Sequence, residues 1–340
     1  MSAERVSDLG EFGVIDRLLA ALPVEARAAQ ADVLVAAGDD AAVMQMPSGR
    51  VQIVTADALV EGIHFRLDWT DWDSLGHKAL AVNISDVAAM GGTPSVAVVT
   101  LGLRGDELVA DLESMYRGMG ELARRHGVVI VGGDIVRVAT ERLVAITVIG
   151  HAGRDQLMVR SAARAGDAIG VTGTIGAAAA GFEILRDPER FAHSATAPRL
   201  VRSHLRPEPR VDAARLLVEH GVRAAMDLSD GLAGDLPKML SASGVSAEIE
   251  EDRLPVIAAV RALFPGRWVD LGLRGGEDYE LLFTIPADRW DALERDAASQ
   301  AITVTRIGTI LESGDRPELY LLRRSGERER LPVGAFDHFG

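Results

Sequence analysis

The sequence predicts an α/β (α+β) fold in two domains. Three observations carry this: β-rich apolar runs that alternate with helical patterns, a length of 340 residues, and an ordinary globular composition of 48% hydrophobic and 25% charged residues. A chain this long outgrows a single core. A helical pattern at about 11–21 opens the chain. Then come the strand "VQIVTAD" (51–57), a helix at about 73–90, "SVAVVTLGL" (95–103), a helix at about 106–126, "VVIVGGD" (128–134) and "LVAITVIG" (143–150). A connector containing Gly and Arg near residue 151 divides the chain into residues 1–150 and 151–340. Beyond it "AIGVTG" leads into an Ala-rich helix near 176–186, helices near 210–220 and 230–243, and strands near 246–250, 280–285 and 302–310.

Composition removes several function classes. No apolar run reaches the roughly 18–20 residues of a membrane span, and "MSAERVSDLGEFGV" lacks the basic and apolar regions of an export signal. The expectation is a cytoplasmic protein with no membrane partner. There is no Cys, hence no disulfide, thiolate metal site or thiol nucleophile. A formal net charge of −14 argues against nucleic acid as partner and suits divalent cations.

The carboxylates are placed unusually. Asp86 stands inside the apolar helix "KALAVNISDVAAMGG" (78–92). Asp39 and Asp40 follow Gly38, Asp57 and Asp134 end strand-like runs, Asp227 and Asp230 share "DLSDGL", and Glu277 and Asp278 share "GGEDYEL". Most follow a strand or a glycine, where open α/β sheets bind their ligands. An unpaired buried carboxylate is costly, and no cationic residues are interleaved at matching positions. Mg²⁺ answers the cost, because it takes carboxylate oxygens and bridges to phosphates. Plainer readings exist: Asp57 or Asp230 as helix caps, Asp86 paired with Lys78 or an Arg, His64 as a packed histidine, Tyr116 as a core ring, Phe336 as a tail anchor, and Glu277 and Asp278 interchangeable.

The common phosphate signatures are missing. There is no G-x-x-x-x-G-K-[ST], and Lys78 and Lys238 are the only lysines beside 34 arginines (36 basic residues less 2). In "VTGTIG" the residue two before Gly173 is Val171, so a strand-to-helix turn is favoured over a dinucleotide fingerprint. Any nucleotide must be held by metals and loop amides.

At this point the ordered series "GDDAAV", "TADALVEGIHF", "KALAVNISDVAAMGG", "VGGDIVR", "VRSAARAGD", "VTGTIG", "HLRPEPR", "DLSDGL", "GGEDYEL" and "FDHF" resembles the thiamine-monophosphate kinase family, within the wider group that includes aminoimidazole ribonucleotide synthetase. The resemblance implies transfer of the γ-phosphoryl of ATP directly onto thiamine monophosphate, with several Mg²⁺ ions and no phosphoenzyme. It also implies a homodimer whose N-terminal domains share a β-barrel, and a C-terminal domain that completes the site. Position by position it makes Asp40, Thr55, Asp57, Asp86, Asp134, Asp227 and Asp230 metal ligands, with Asp86, Asp134 and Asp227 at the catalytic centre. Tyr116, Gly133, Asp134, Arg160 and Ser229 would contact ATP, and His64, Glu277 and Phe336 would hold thiamine monophosphate. The family's Ser-Thr-Asp stands here as Thr55-Ala56-Asp57, so a hydroxyl is lost at the middle position.

Related chemistries fit the same residues less well. Selenophosphate synthetase and hydrogenase-maturation relatives carry a Cys or selenocysteine that this chain lacks. "GIHF", "GGEDYEL" and "DHF" point away from aminoimidazole ribonucleotide synthetase. A nucleotide sensor without catalysis would be expected to have lost its carboxylates, and a phosphohydrolase differs in passing phosphate to water.

Overall fold

The computed structural model describes residues 33–35, 39–46 and 49–332. The helix expected at 11–21 and Phe336 with its "FDHF" lie outside them. The first half runs β1 (Val33–Val35), β2 (Ala42–Gln45), β3 (Arg50–Val60), α1 (Trp72–Ala89), β4 (Thr93–Leu103), α2 (Val109–His126), β5 (Val129–Arg137) and β6 (Leu143–Gly153). Its strands form one sheet in the order β1-β2-β3-β6-β4-β5, in which β4 and β5 alone are parallel. A parallel neighbour needs a crossover, and α2 supplies it.

The second half runs β7 (Asp167–Thr172), α3 (Ala177–Arg186), α4 (Ala197–Leu205), α5 (Val211–Glu219), β8 (Ala224–Asp227), α6 (Leu232–Ser243), β9 (Val245–Glu250), α7 (Ala258–Leu263), α8 (Trp268–Arg274), β10 (Leu281–Pro286), α9 (Trp290–Ser299), β11 (Val304–Glu312), β12 (Leu319–Leu322) and β13 (Arg328–Arg330). The sheet order is β13-β12-β9-β11-β7-β10-β8, with β9 and β12 parallel. Both sheets are therefore mainly antiparallel, which places the fold nearer α+β than the alternation of strands and helices suggests.

Helix α1 organises the molecule. It touches β3, β6 and β4 on one side, and α2, α5 and β8 on the others. Fifteen of its eighteen residues are buried, which explains why the segment reads as apolar all round rather than as one apolar stripe. Asp71 caps its start by accepting from Ser74 N at 2.6 Å. One apolar core runs from Val43 and Ile53 through Ile84 and Val87 to Phe283 and Trp290, joining the halves, while a second core centred on Met226 and Leu236 belongs to the second half.

The approach of α1 to α2 depends on two glycines. A Cβ on Gly76 would stand 1.9 Å from the Met115 carbonyl oxygen, and one on Gly118 would stand 1.9 Å from that of Asp73. Both neighbours are backbone and cannot yield without moving a helix. Gly118→Ala is therefore expected to destabilise the fold by about 1–3 kcal/mol, read as a lower urea midpoint at unchanged m-value.

Candidate metal and phosphate site

Strand β3 and helix α1 build the centre of the site between them. Alternation along β3 turns Thr55 and Asp57 toward α1 and Ala56 to the other face. Thr55 donates its hydroxyl proton to Asp86 Oδ2 at 2.5 Å. Asn83, one turn earlier on α1, accepts from the Asp57 backbone N–H at 3.0 Å and donates to the Ala79 carbonyl. Ser85 donates to Asp227 Oδ2 at 2.6 Å, tying α1 to the end of β8. Asn83 and Ser85 thus each reach a partner outside the helix.

Asp40, Asp86 and Asp227 converge, with one carboxylate oxygen from each lying within 4.8 Å of the others. Burial pushes the Asp86 carboxyl well above the usual carboxylate range, and the charges of Asp227, Asp57 and Asp40 push the same way. Asp227 is raised by burial and by Asp40, and Asp57 by burial and Asp40. Partial compensation exists: Arg160 Nη2 donates to Asp40 at 2.6 Å, and its backbone N–H donates to Asp39 at 3.0 Å. Asp40 Oδ2 is buried and accepts no hydrogen bond among the described residues. Hard oxygen donors this close, one of them unsatisfied, suit a divalent cation such as Mg²⁺.

The second half contributes two loops that lock together. The Glu277 and Tyr279 backbone N–H groups donate to the Ser229 and Leu228 carbonyls at 2.8 and 3.0 Å. Gly276 allows this approach, since a Cβ there would fall 2.4 Å from the Ser229 oxygen. Glu277 and Tyr279 take positive φ values of 67° and 49°, uncommon for residues with side chains and typical of functional turns. This turn gives the adjacent carboxylates different partners. Asp278 accepts from Gly176 N and Ala178 N at the start of α3, and burial raises its carboxyl to about 7. Glu277 instead meets Lys78 Nζ at 2.7 Å and His204 Nδ1 at 3.0 Å. Burial alone would raise Glu277, but Lys78 and His204 hold it down to about 2.

These groups line one cavity of roughly 1130 Å³, above the ~300–1,000 Å³ usual for one ligand and roomy enough for two. Thr55, Asp57, His64, Arg160, Ser229 and Asp230 all line it. Two expectations are corrected. Cations do stand among the carboxylates: besides Arg160, Lys238 Nζ lies 2.6 Å from Asp230 and 2.9 Å from Asp235. Lys78 pairs with Glu277 rather than Asp86. Sequence reasoning did not give Lys78, Lys238 and His204 a role in the site. The available signal was composition, because both lysines of the chain line the cavity.

Gly133, Asp134 and Tyr116 are not brought to this cavity. The register sets Asp57 opposite Ile146, Ile146 opposite Val99 and Val99 opposite Gly133. Gly133 is thus level with Asp57 but three strand spacings away, about 14 Å. Asp134 is exposed on β5 and accepts from the Ile135 backbone N–H, while Tyr116 on α2 is 39% exposed. Phe336 lies outside the described residues.

Comparison with known proteins gives this geometry a family. Residues 38–152 match the domain described as AIR synthase related protein, N-terminal domain, and residues 164–318 match its C-terminal domain. The thiamine-monophosphate kinase of Bacillus subtilis is 39% identical over 276 residues, covering 81% of this chain and 85% of that one. The chain belongs to the thiamine-monophosphate kinase family. The Escherichia coli K12 member is 36% identical over 331 residues, 97% of this chain and 98% of its own. A solved structure described as AaThiL complexed with AMPPCP and TMP superposes with a TM-score of 0.84 at 30% identity, covering 99% of this chain and 100% of the other. Hydrogenase maturation protein HypE, at 21% identity and a TM-score of 0.70 over 83% of this chain and 88% of its own, shares the fold alone.

The raised Asp86 carboxyl has a consequence for stability. The folded protein binds a proton there more tightly than the unfolded chain, which titrates near 3.8. Stability at this position therefore falls as pH rises above the unfolded value. Asp86→Asn keeps an acceptor for Thr55 and removes the charge. In EDTA the variant is expected to unfold at a higher temperature than wild type at pH 8, by a margin that shrinks toward pH 5; an equal or lower midpoint at pH 8 would refute the buried-charge account.

Proposed function

We propose that this cavity transfers the γ-phosphoryl group of ATP directly onto the phosphate of thiamine monophosphate, giving thiamine diphosphate and ADP. The convergence of Asp40, Asp86 and Asp227 carries the reading, supported by family membership. An oxygen of the acceptor phosphate attacks the γ-phosphorus in line, the bond to the β–γ bridging oxygen breaks, and ADP leaves. The attacking oxygen is already anionic, so no strong general base is required. Phosphoryl transfer rests on alignment and on screening of charge. Several Mg²⁺ ions held by Asp40, Thr55, Asp57, Asp86, Asp227 and Asp230 would supply that screening.

The chain's own groups divide the remaining work. Arg160 and Ser229, which line the cavity, would contact the nucleotide phosphates, and Lys238, paired with Asp230, would balance charge beside them. His64 and Glu277 would hold the acceptor, and Glu277 is itself paired with Lys78 and His204. Residues 1–150 act as the nucleotide, metal and dimerisation domain, and residues 151–340 complete the site. The protein works in the cytoplasm.

A homodimer would give Asp134, Gly133 and Tyr116 a place. Among the described residues strand β5 is a sheet edge, on which Val129, Val131 and Ile135 are 59%, 60% and 65% exposed. An apolar edge of this kind invites pairing with another copy, and a shared barrel would cover it. Sedimentation is expected to give twice the chain mass for wild type, and the single-chain mass for Val131→Lys; a monomeric wild type would sink the shared barrel.

The direct assay incubates purified protein with ATP, Mg²⁺ and thiamine monophosphate and resolves thiamine diphosphate by fluorescence after oxidation. Product is expected only with all three present. Asp86→Asn should lower turnover at least a thousandfold with the fold retained. Glu277→Ala should raise KM for thiamine monophosphate and also cost about 3–5 kcal/mol, because it strands the buried Lys78 charge. ADP without thiamine diphosphate would point to hydrolysis instead.

A further inference from the structure

The cavity has a second kind of wall. Trp69, in the loop after β3, meets Phe182 of α3 with ring centroids 5.7 Å apart and planes at 77°. Phe182 in turn lies 5.5 Å from the His204 ring of α4. All three line the cavity. Neither Trp69 nor Phe182 is spent on a core: Phe182 is 37% exposed although Gly181 and Ile184 beside it on α3 are buried. Arg66 sits 4.6 Å over the Trp69 ring and Arg186 5.7 Å over that of Phe182. The protein itself thus supplies the cations for these π-faces, and the aromatic surface left open to the cavity suits a flat, uncharged ring that stacks.

The location assigns the ligand. His204 touches Phe182 on one side and stands 3.0 Å from Glu277 on the other, so the wall continues the acceptor end of the cavity. It also spans the halves of the chain, Trp69 coming from the first and Phe182 from the second. We propose that Trp69 and Phe182 select the phosphate acceptor by stacking its flat heteroaromatic end, the pyrimidine of thiamine monophosphate, while its phosphate reaches the carboxylate centre. This rests on the kinase reading above. His204 acts as a positioning residue that couples the wall to Glu277.

The test compares wild type, Trp69→Ala, Phe182→Ala and Trp69→Phe, each checked for an unchanged circular dichroism spectrum. The alanine variants are expected to raise KM for thiamine monophosphate at least tenfold, with kcat lowered less than threefold and KM for ATP within twofold. Trp69→Phe, which keeps a ring, should restore KM to within threefold. Titration of wild type with thiamine monophosphate alone should quench tryptophan fluorescence, and Trp69→Phe should lose most of that quench. Unchanged KM for thiamine monophosphate in both alanine variants would overturn the proposal, as would a selective rise in KM for ATP, which would assign the wall to adenine. Because the quench needs no turnover, failure to form thiamine diphosphate counts against the kinase reading, and a quench that persists in Trp69→Phe counts against the wall.

Discussion

The whole arrangement depends on holding the carboxyl of Asp86 inside a helix that is otherwise packed on every side. Removing a carboxylate from water is tolerable only with compensation, and here the neighbours on several sides are further carboxylates. The Thr55 hydroxyl eases this only in part. Arg160 offsets only part of this charge, so positive charge bound in the cavity would stabilise the centre. That is the condition under which binding energy of a metal-bound nucleotide can be spent on assembling the site.

The same helix explains how the halves cooperate. Lys78, Ser85 and Asp86 lie on α1, within the first half, and two of them reach groups of the second: Lys78 meets Glu277, and Ser85 meets Asp227. Arg160 closes the circle from the connector by holding Asp39 and Asp40. The cavity is consequently framed by contacts that cross the chain's midline, and its geometry is as rigid as the packing of α1. The glycines at the crossing with α2 matter for this reason, because they set how deeply the helix can sit.

Much of this was legible in the sequence. The alternation in "VQIVTAD" and "LVAITVIG" placed β3 and β6 within a few residues, and the apolar run around Asp86 marked a fully buried helix. Short elements escaped: β8 is four residues long, and α4, with Pro198 near its start, gives too few turns for a clear period. The carboxylates that converge were named, but their partners were not, since the pairing of Lys78 with Glu277 is a contact between residues 199 positions apart (277 less 78) that no local pattern encodes. The backbone twist at Glu277, which sends it and Asp278 to different partners, is likewise invisible to spacing. The reverse case is Asp134: its "GGD" context resembles that of the other carboxylates that follow β-like runs, yet it lies within β5 and sheet order sets it at the far edge.

The scarcity of lysine has a practical side. Apart from the chain's amino terminus, amine-reactive reagents have two targets in this molecule, and both ammonium groups face the same cavity, each tied to a carboxylate there. Covalent labelling of the lysines is in effect labelling of the site. The extent of modification, with and without nucleotide or thiamine monophosphate, reports occupancy without any engineered probe.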